Sequence, residues 1–416
     1  MPSRTITVYE HGALYLDKGE DPLSLQELKA LQLFYKEKDF PFYSLLHSGV
    51  RFCEYVGVIR VGKLTVEVLP KADRSHDKAH WRAFLIDMLR SAGVFDSKAP
   101  STAQLKIKSN SILEHYFALF ITEVEQVLHH GLIKRYRKTQ ANNTTLKGKL
   151  LLGKHIGKNL VHQERFFVEH TVYDRAHLLN QILYKGLNVL RRHNLNPALL
   201  SRINNIYLNF PEMKDVVVDE DVFSRIVYDR KNIGYQKAIG IARLLLLNYH
   251  PDVNAGQEDV LALMFDMNLL WERFVLKALQ RFKPQGLTVS GQTRKDFWKP
   301  ELGRIRGMKP DIVVVDGEKY VYVIDTKWKN IAGHAASDDD LRQMYAYGKF
   351  HDGANVCLFY PGSQNIFNDG AFMHEKGNKM VSMNRCAVMK IVVGSGTGKG
   401  QEMLARQAWA FLGLEI

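Results

Sequence analysis

The sequence predicts a multidomain α+β protein with a β-rich N-terminal region, a mostly helical middle region and a C-terminal α/β core. The chain has 416 residues, more than one hydrophobic core usually accommodates, so several domains are expected. The spacing of apolar residues changes along the chain, from alternation typical of strands to the helical period and then to a mixture. Hydrophobic residues make up 46% of the sequence, which supports well-buried cores.

The N-terminal region, residues 1–75, is predicted to be β-rich. β-branched and aromatic residues are frequent at 5–9, 52–61 and 64–69, and these residue types favour strands. A helical spacing of apolar residues at 25–36 predicts one helix between the strands.

The middle region, residues 76–255, is predicted to be mostly helical. Its apolar residues recur with the helical period in several segments. These segments are 81–91, 112–128, 176–192 and 237–247.

The C-terminal region, residues 256–416, is predicted to contain a helix, three strands, a helix and a strand, in that order. The first helix corresponds to a long apolar segment, and the place of residues 373–416 is left open. The predicted ranges are a helix at 260–282, strands at 287–294, 309–315 and 319–327, a helix at 338–350 and a strand at 355–360.

The charge balance favours a polyanionic partner. Lys and Arg number 57 against 44 Asp and Glu, which gives a formal net charge of +13. The stretch 131–163 is basic throughout and contains no acidic residue. Such a run neutralises DNA phosphates, faces an acidic protein surface or is merely solvated. We predict DNA contacts from Lys134, Arg135, Arg137 and Lys138.

The remaining features predict a soluble cytoplasmic protein. The three cysteines are widely spaced, so neither a disulfide framework nor a structural zinc site is expected. No secretory signal or membrane-spanning apolar run is apparent. The segment GSGTGKG at 394–400 lacks the spacing and the final Ser or Thr of a phosphate-binding loop, so we expect no nucleotide to bind this chain.

Two aspartates and a lysine on neighbouring strands form the candidate catalytic group. Pro310-Asp311 begins one predicted strand, and Asp325-Thr326-Lys327 ends the next. Hydrolysis of a phosphodiester needs a divalent cation that polarises the phosphate and lowers the pKa of a bound water. Mg²⁺ prefers a few carboxylates and keeps several waters. The alternative is that these residues are a turn and a solvated strand end.

Whether the two aspartates share a metal depends on the register of the hairpin, because side chains of a strand alternate between faces. A two-residue loop at 316–317 would place them on opposite faces. A three-residue loop with Gly317 left-handed would pair Asp311 with Val321 and bring Asp311, Asp325 and Lys327 to one face. We predict the three-residue loop.

Three further residues are candidates for the site. Glu272 lies on the preceding helix and could bind the metal or orient its water; an ordinary solvated glutamate is an equally good reading. Gln343 and Tyr347 are four residues apart, on one helical face. They could brace the lysine or a DNA phosphate, although Tyr347 could equally be core.

These residues and their surroundings resemble the McrC family, the nuclease subunits of modification-dependent restriction systems, whose catalytic domain belongs to the PD-(D/E)xK superfamily. The likeness covers most of the chain. It is carried by EHG at 10–12, YVGVIRVGKLTVEVLPK at 55–71, LKGKLLLGKHI at 146–156, MNLLWERFV at 267–275, KPDIVVV at 309–315, YVIDTKWK at 322–329 and RQMYAYG at 342–348.

The resemblance implies a restriction-endonuclease-like C-terminal core and a Mg²⁺ site in which Mn²⁺ can substitute. Asp311 and Asp325 would bind the metal, with Thr326 and Glu272 as further expected ligands. Lys327 would position the attacking water or stabilise developing charge.

The resemblance also implies partners. They are a McrB-like AAA+ GTPase hexamer and double-stranded DNA containing modified cytosine, and dimerisation of the nuclease domain is left open. The ring-inserting region of the family maps onto roughly residues 1–150. We therefore expect deletion of residues 1–75 to uncouple the partner while leaving the metal site intact.

Two alternative functions remain at this point. One is a nuclease of a sequence-specific restriction system with a related AAA+ partner. The other is a non-catalytic scaffold that stimulates the motor. The presence of Asp311, Asp325 and Lys327 together favours an active nuclease over the scaffold.

Overall fold

A computed structural model describes most of the chain. The glycine-rich segment discussed above lies outside the described residues, apart from its final glycine. The described ranges are 4–38, 42–71, 77–92, 111–194, 196–250, 259–331, 335–373, 381–393 and 400–414.

Helices and strands both occur throughout the described residues, and the predicted mixed α+β class is confirmed. The strands are β1 (Arg4–Tyr9), β2 (Ala13–Tyr15), β3 (Tyr43–Leu46), β4 (Gly49–Phe52), β5 (Tyr55–Val61), β6 (Leu64–Leu69), β7 (Arg135–Asn143), β8 (Lys149–Leu150), β9 (Phe166–Asp174), β10 (Tyr249–His250), β11 (Val260–Asp266), β12 (Leu287–Gly291), β13 (Lys295–Trp298), β14 (Arg306–Met308), β15 (Ile312–Asp316), β16 (Lys319–Thr326), β17 (Asn355–Gly362), β18 (Ile366–Met373) and β19 (Val381–Val392). The helices are α1 (Leu25–Lys38), α2 (Lys78–Ser91), α3 (Ile112–His130), α4 (Leu152–Asn159), α5 (Leu178–His193), α6 (Pro197–Asn209), α7 (Glu220–Ser224), α8 (Gln236–Leu247), α9 (Met267–Arg281), α10 (Asp338–Phe350) and α11 (Gly400–Phe411).

The chain folds into two compact units. Unit 1 combines residues 1–98 with residues 251–416, and unit 2 comprises residues 99–250. The N-terminal and C-terminal regions distinguished in the sequence therefore share one unit. No described helix is long and apolar enough to cross a membrane.

A sheet with strand order β1-β6-β5-β11 joins the two ends of the chain inside unit 1. β1 runs parallel to β6, β5 and β6 form a hairpin, and β11 pairs antiparallel with β5 along its whole length. Helix α1 and the small sheet β2-β4-β3 contribute to the apolar core of this region. The C-terminal part of the chain thus completes a sheet that the N-terminal part begins.

The prediction of one long helix at 260–282 is wrong in its first turns. Residues Val260–Asp266 form strand β11, and α9 begins at Met267. The Asp266 side chain accepts hydrogen bonds from the amides of Asn268 and Leu269 and so caps the helix. A short, continuously apolar run is compatible with either a buried strand or a buried helix, so periodicity alone does not separate them.

The second sheet of unit 1 has the strand order β12-β15-β16-β17-β19-β18. β16, β17 and β19 are mutually parallel, whereas β12, β15 and β18 run antiparallel to their neighbours. Helix α10 packs on this sheet through an apolar cluster that includes Val323, Leu358 and Met344. Trp271 of α9 contacts Phe359, which lies on the other face.

The C-terminal segment, whose place the sequence left open, extends this sheet. β19 pairs with β17, and β18 pairs with β19 at the edge. Helix α11 packs against α9 and β19. The predicted order of helix, three strands, helix and strand is present, with the short hairpin β13-β14 in addition.

Unit 2 contains helices α3 to α8 and a sheet with the order β7-β9-β8. The prediction of a mostly helical middle region therefore missed a sheet. Strand β7 has the sequence RYRKTQANN, in which no residue is fully buried. Since polar residues occupy both faces, the alternation of apolar and polar residues that identifies a half-buried strand is absent.

Candidate active site

The candidate site lies where β15 begins and β16 ends. Asp311 immediately precedes β15, and its Oδ2 accepts hydrogen bonds from the backbone N of Thr326 at 2.7 Å and from its Oγ1 at 2.8 Å. Asp325 and Thr326 are the last two residues of β16, and both are buried. The two aspartates therefore lie side by side at one edge of the sheet, as the sequence analysis required.

The hairpin reaches this arrangement by a different route from the one predicted. Asp316 pairs with Lys319 across a two-residue turn, in which Gly317 has φ +58°. Val321 is then left without a partner residue on β15, because the pairing jumps at this point. The three-residue loop was wrong, whereas the left-handed Gly317 is confirmed.

The bulge at Val321 determines which face carries Asp325. Ile312 pairs with Ile324, so continuation of the ladder places Asp311 opposite Asp325. A two-residue turn without a bulge would instead place Asp311 opposite Ile324 and send Asp325 to the other face. The extra residue restores the register that brings the carboxylates together.

Asp325 is a buried carboxylate with one close cation. Its side chain is 3% exposed, and Lys327 Nζ lies 2.8 Å from Oδ2. Gln343 Nε2 donates to Oδ1 at 3.3 Å. Burial and the charge of Asp311 raise the pKa of Asp325 to about 6, against the opposing effect of Lys327.

Lys327 is held by groups from α10. Its Nζ donates to Gln343 Oε1 at 3.2 Å and lies 4.0 Å from Asp340 Oδ1. Gln343 Nε2 also donates to the hydroxyl of Tyr347 at 2.8 Å. Burial lowers the pKa of Lys327, but the hydrogen bond and charge of Asp325 outweigh it, and the net pKa is raised. Gln343 therefore contacts both the lysine and Asp325.

Tyr347 fits both of the readings given above. It is buried within the apolar cluster beneath α10, and its hydroxyl reaches Gln343. It is a core residue whose polar end is directed toward the site.

Glu272 lies on α9 and is buried, which excludes the reading as a solvated glutamate. Its Oε1 accepts a hydrogen bond from Gln292 Nε2 at 2.8 Å, and Gln292 Oε1 accepts one from Lys309 Nζ at 2.6 Å. Burial, followed by the charge of Asp311, raises the pKa of Glu272. Asp311 thus acts electrostatically on both Glu272 and Asp325.

Sequence reasoning missed Gln292, Lys309 and Asp340. Gln292 has φ +52° and its backbone N donates to the carbonyl of Asp311 at 2.9 Å. Asp340 is buried, accepts a hydrogen bond from Tyr360 and pairs with Lys329. In the sequence Asp340 is one of three consecutive aspartates at a helix start, a pattern that ordinarily signifies only a favourable helix N-terminus.

The donor set fits a hard divalent cation. Among the described residues, no group of three or more His, Cys, Asp or Glu side chains is arranged to hold a metal. Mg²⁺ needs fewer protein ligands, because one or two carboxylates with waters suffice. Asp311 and Asp325 supply two carboxylates that interact electrostatically. The hydroxyl of Thr326 donates to Asp311, so its contact in this structure is with the carboxylate.

The four basic residues predicted to contact DNA lie in unit 2, at and just before the start of β7, and all are exposed. They do not share one face. Arg135 and Arg137 alternate with Tyr136 and Lys138 along the strand. Arg137 is paired with Asp174 at 2.8 Å, and Tyr136 packs against Tyr173 in a tilted arrangement with ring centroids 4.6 Å apart.

Comparison with known proteins identifies the family. The family described as McrBC 5-methylcytosine restriction system component matches residues 50–361. The chain belongs to the McrBC family. This match spans the candidate carboxylates, Lys327 and the α10 residues, and it confirms the resemblance found in the sequence. No curated protein matches the sequence significantly.

Solved structures of McrBC complexes share the fold. One is a refined half-complex from a tetradecameric assembly of Thermococcus gammatolerans McrB AAA+ hexamers with bound McrC, with a TM-score of 0.71 and 21% identity. That alignment covers 97% of this chain and 99% of the other. A cryo-EM structure of the Thermococcus gammatolerans McrBC complex has a TM-score of 0.50 and 21% identity. That alignment covers 67% of this chain and 88% of the other. The likeness extends over residues beyond the McrBC family match.

Proposed function

We propose that this chain is the nuclease subunit of a McrBC-type restriction system and hydrolyses DNA phosphodiesters with Mg²⁺. The observation that carries this proposal is the juxtaposition of Asp311, Asp325 and Lys327 at one sheet edge. Two carboxylates placed close together in a buried site cost folding free energy. Their retention beside a lysine is explained by binding a cation and a phosphate.

Asp311 and Asp325 would hold the metal, and Glu272 lies close enough to Asp311 to be affected by it electrostatically. A bound Mg²⁺ would polarise the phosphate and lower the pKa of a coordinated water. Lys327 would place a positive charge on the reacting phosphate or orient the water. Gln343 would keep the Lys327 ammonium directed toward Asp325, since it contacts both side chains.

Glu272, Gln292 and Lys309 would form a second hydrogen-bonded set beside the carboxylates. Gln292 connects the acid to the lysine and so fixes the orientation of Glu272. In this role Glu272 would accept a hydrogen bond from the attacking water. This arrangement resembles the way outer groups orient metal ligands in general.

The proposed partner is a McrB-like AAA+ GTPase hexamer, and the proposed substrate is double-stranded DNA with modified cytosine. The McrBC family membership supports both, as does the fold shared with McrC bound to McrB hexamers. Recognition of the modified base is then assigned to the partner.

The exposed cations at the start of β7 are proposed to contact DNA phosphates. Arg137 is already paired with Asp174, so Lys134, Arg135 and Lys138 should contribute more. Replacing these three with Ala should weaken duplex binding and flatten its dependence on salt by a slope of about 2–3. Fluorescence anisotropy at several salt concentrations measures both quantities, and an unchanged slope would remove β7 from the DNA path.

The direct test compares Asp311→Asn and Asp325→Asn with Asp316→Asn. Asp316 is an exposed carboxylate at the other end of β15, so its replacement removes the same charge away from the site. With the partner, GTP and methylated plasmid, the first two variants should lose at least about 100-fold in cleavage. Asp316→Asn should cleave normally.

The same assay tests the metal. Wild-type cleavage should require Mg²⁺ or Mn²⁺ and stop in Ca²⁺, which holds its ligands in a looser geometry. Cleavage in EDTA, or cleavage by Asp325→Asn at the wild-type rate, would refute the proposed chemistry. Equal cleavage of unmethylated plasmid would favour the sequence-specific alternative.

A further inference from the structure

Glu10, directly after β1, reaches the segment that carries the candidate catalytic lysine. Its Oε1 accepts a hydrogen bond from Trp328 Nε1 at 2.7 Å, although the two residues are 318 apart in the sequence. Trp328 directly follows Lys327. The N-terminal sheet therefore touches the candidate site through one side chain.

Glu10 itself is firmly placed. Its backbone N donates to the carbonyl of Leu69 at 2.9 Å, and its Oε1 also accepts from the backbone N of Lys71 at 2.8 Å. These contacts tie it to the end of β6 and the segment that follows. Glu10 is consequently fixed in position and can orient the indole of Trp328.

The indole of Trp328 is also packed between elements from both ends of the chain. Its ring lies 5.4 Å from Trp271 of α9, in an edge-on arrangement, and 6.3 Å from Phe84 of α2, in a stacked one. Trp271 precedes Glu272 in the sequence. A movement of Trp328 would therefore change the position of Lys327 and of the backbone next to Glu272.

Lys327 and Trp328 have their partners on opposite sides of the chain. Lys327 contacts Asp325 and Gln343, whereas Trp328 contacts Glu10. The backbone N of Lys327 donates to the carbonyl of Phe359 at 3.0 Å. The indole of Trp328 thus packs on the side of this short segment opposite to the Lys327 side chain.

Stability alone does not account for a carboxylate at position 10. Glu10 is 8% exposed, and its Oε2 is buried without a hydrogen-bond partner among the described residues. Burying an unsatisfied carboxylate oxygen is unfavourable. A function that needs a strong acceptor for the indole N–H explains its presence better.

We propose that Glu10 is a positioning residue for the candidate nuclease site, acting through Trp328 on Lys327. This inference rests on the proposed function and adds a link between the N-terminal sheet and cleavage. A displacement of β1 relative to β16 would be transmitted to Lys327 by this hydrogen bond. Cleavage would then require the N-terminal sheet to be seated against the nuclease core.

The test removes the hydrogen bond from either side in the full chain. Trp328→Phe keeps an aromatic ring but lacks the donor, and Glu10→Ala lacks the acceptor. Tyr43→Phe is the matched control, because it removes one buried hydrogen bond in the N-terminal region, from Tyr43 to the carbonyl of Leu31 at 2.7 Å. Glu10→Gln keeps an acceptor and serves as the conservative variant.

Single-turnover cleavage with partner, GTP and Mg²⁺ should fall about ten-fold or more for Trp328→Phe and for Glu10→Ala, because misplacing a catalytic group is costly. The double variant should be no slower than the slower single variant, since both remove one interaction. Tyr43→Phe should cleave within about two-fold of wild type. Glu10→Gln, which keeps a weaker acceptor for the indole N–H, should cleave at a rate between those of wild type and Glu10→Ala. Additive losses, or an equal loss in Tyr43→Phe, would overturn the inference.

Hydrogen exchange at the Lys327 backbone amide provides a readout that does not depend on cleavage. Exchange should be faster in Trp328→Phe and Glu10→Ala than in wild type, and unchanged in Tyr43→Phe. If Glu10→Ala fails to fold, Trp328→Phe alone decides the outcome. If wild type does not cleave DNA, the proposed function fails, whereas the exchange rates still decide whether Glu10 positions this segment; equal rates in all variants would refute it.

Discussion

At the scale of single residues, Asp325 lies in surroundings that disfavour its ionised form. Burial and the nearby charge of Asp311 raise its pKa to about 6, and Lys327 only partly compensates. A divalent cation bound by both carboxylates would reverse the balance, because its charge favours ionised ligands. The metal-free site is therefore expected to be less stable than its neutralised variants.

Asp311→Asn should separate stability from function. Asn retains an acceptor for the amide of Thr326 but removes the charge that raises the pKa of Asp325 and of Glu272. In EDTA the unfolding midpoint should rise by about 1–3 °C, while cleavage in Mg²⁺ is lost. Asp311→Ala, which loses the acceptor as well, should unfold at a lower temperature than Asp311→Asn. The reverse order would contradict this account of the site.

Glu10 should make stability depend on pH. Burial raises its pKa from 4.5 to about 7 in the folded protein. Between these values the folded state keeps a proton that the unfolded state releases, so stability falls as pH rises. Below pH 4.5 both states are protonated, and above about pH 7 the full cost is present. Glu10→Gln carries no such charge.

The thermal midpoint of Glu10→Gln should therefore gain a few degrees relative to wild type between about pH 5 and 8. Glu20→Gln provides the control, because Glu20 is exposed in the same N-terminal region. A constant difference between wild type and Glu10→Gln across this range would show that Glu10 is not buried as described.

At the scale of elements, the β15–β16 hairpin shows how a turn and a bulge together set the site. The two-residue turn alone would separate the carboxylates, and the unpaired Val321 restores the shared face. Tyr320 and Tyr322, on either side of the bulge, have partners on different elements. Tyr320 packs against His351, and Tyr322 donates a hydrogen bond to the carbonyl of Leu412.

The bulge predicts an asymmetry between deletion and insertion. Deleting Val321 should leave a regular ladder in which Asp311 still faces Asp325, so cleavage should be largely retained. Inserting one alanine between Val323 and Ile324 should send Asp325 to the other face unless a second bulge forms, and cleavage should be lost. Plasmid cleavage and circular dichroism of the two variants test this, and loss of cleavage by the folded deletion variant would be evidence against it.

Local patterns predicted some parts of the fold and site and not others. The aspartates and Lys327 lie in a short, strongly patterned hairpin, and Gln343 and Tyr347 follow from helical spacing. Gln292 is positioned by a left-handed backbone conformation, which a glutamine in the sequence does not predict. Asp340 reaches the site only through the packing of α10 on the sheet. Such contacts depend on tertiary structure and leave no local pattern.

At the scale of the whole molecule, unit 1 is built from two distant parts of the chain. Deletion of residues 1–75, considered in the sequence analysis, would remove β5, the strand that pairs with β11. It would also remove Glu10, which contacts Trp328. These contacts lead us to expect that the deletion also disturbs the candidate site, in contrast to the expectation from the sequence. The N-terminal region is a structural component of unit 1, which also contains the candidate site.

Two truncations should behave differently for this reason. The fragment 251–416 alone should be aggregated or loosely folded, since the apolar strand β11 loses its partner. A chain in which residues 99–250 are replaced by a flexible Gly/Ser linker should keep a cooperative thermal transition, because it retains all of unit 1. Near-ultraviolet circular dichroism and calorimetry compare them, and a cooperative transition in the isolated fragment would refute the prediction.

The pairing of β5 with β11 also has a consequence for synthesis on the ribosome. β5 emerges early and can pair with β6 at once, but β11, its partner on the other side, is translated only after all of residues 99–250. At ordinary elongation rates that interval is on the order of ten seconds. During it, one edge of a largely apolar strand remains open to other nascent chains, so the newly made protein should depend on chaperones most strongly before residue 266 has left the exit tunnel.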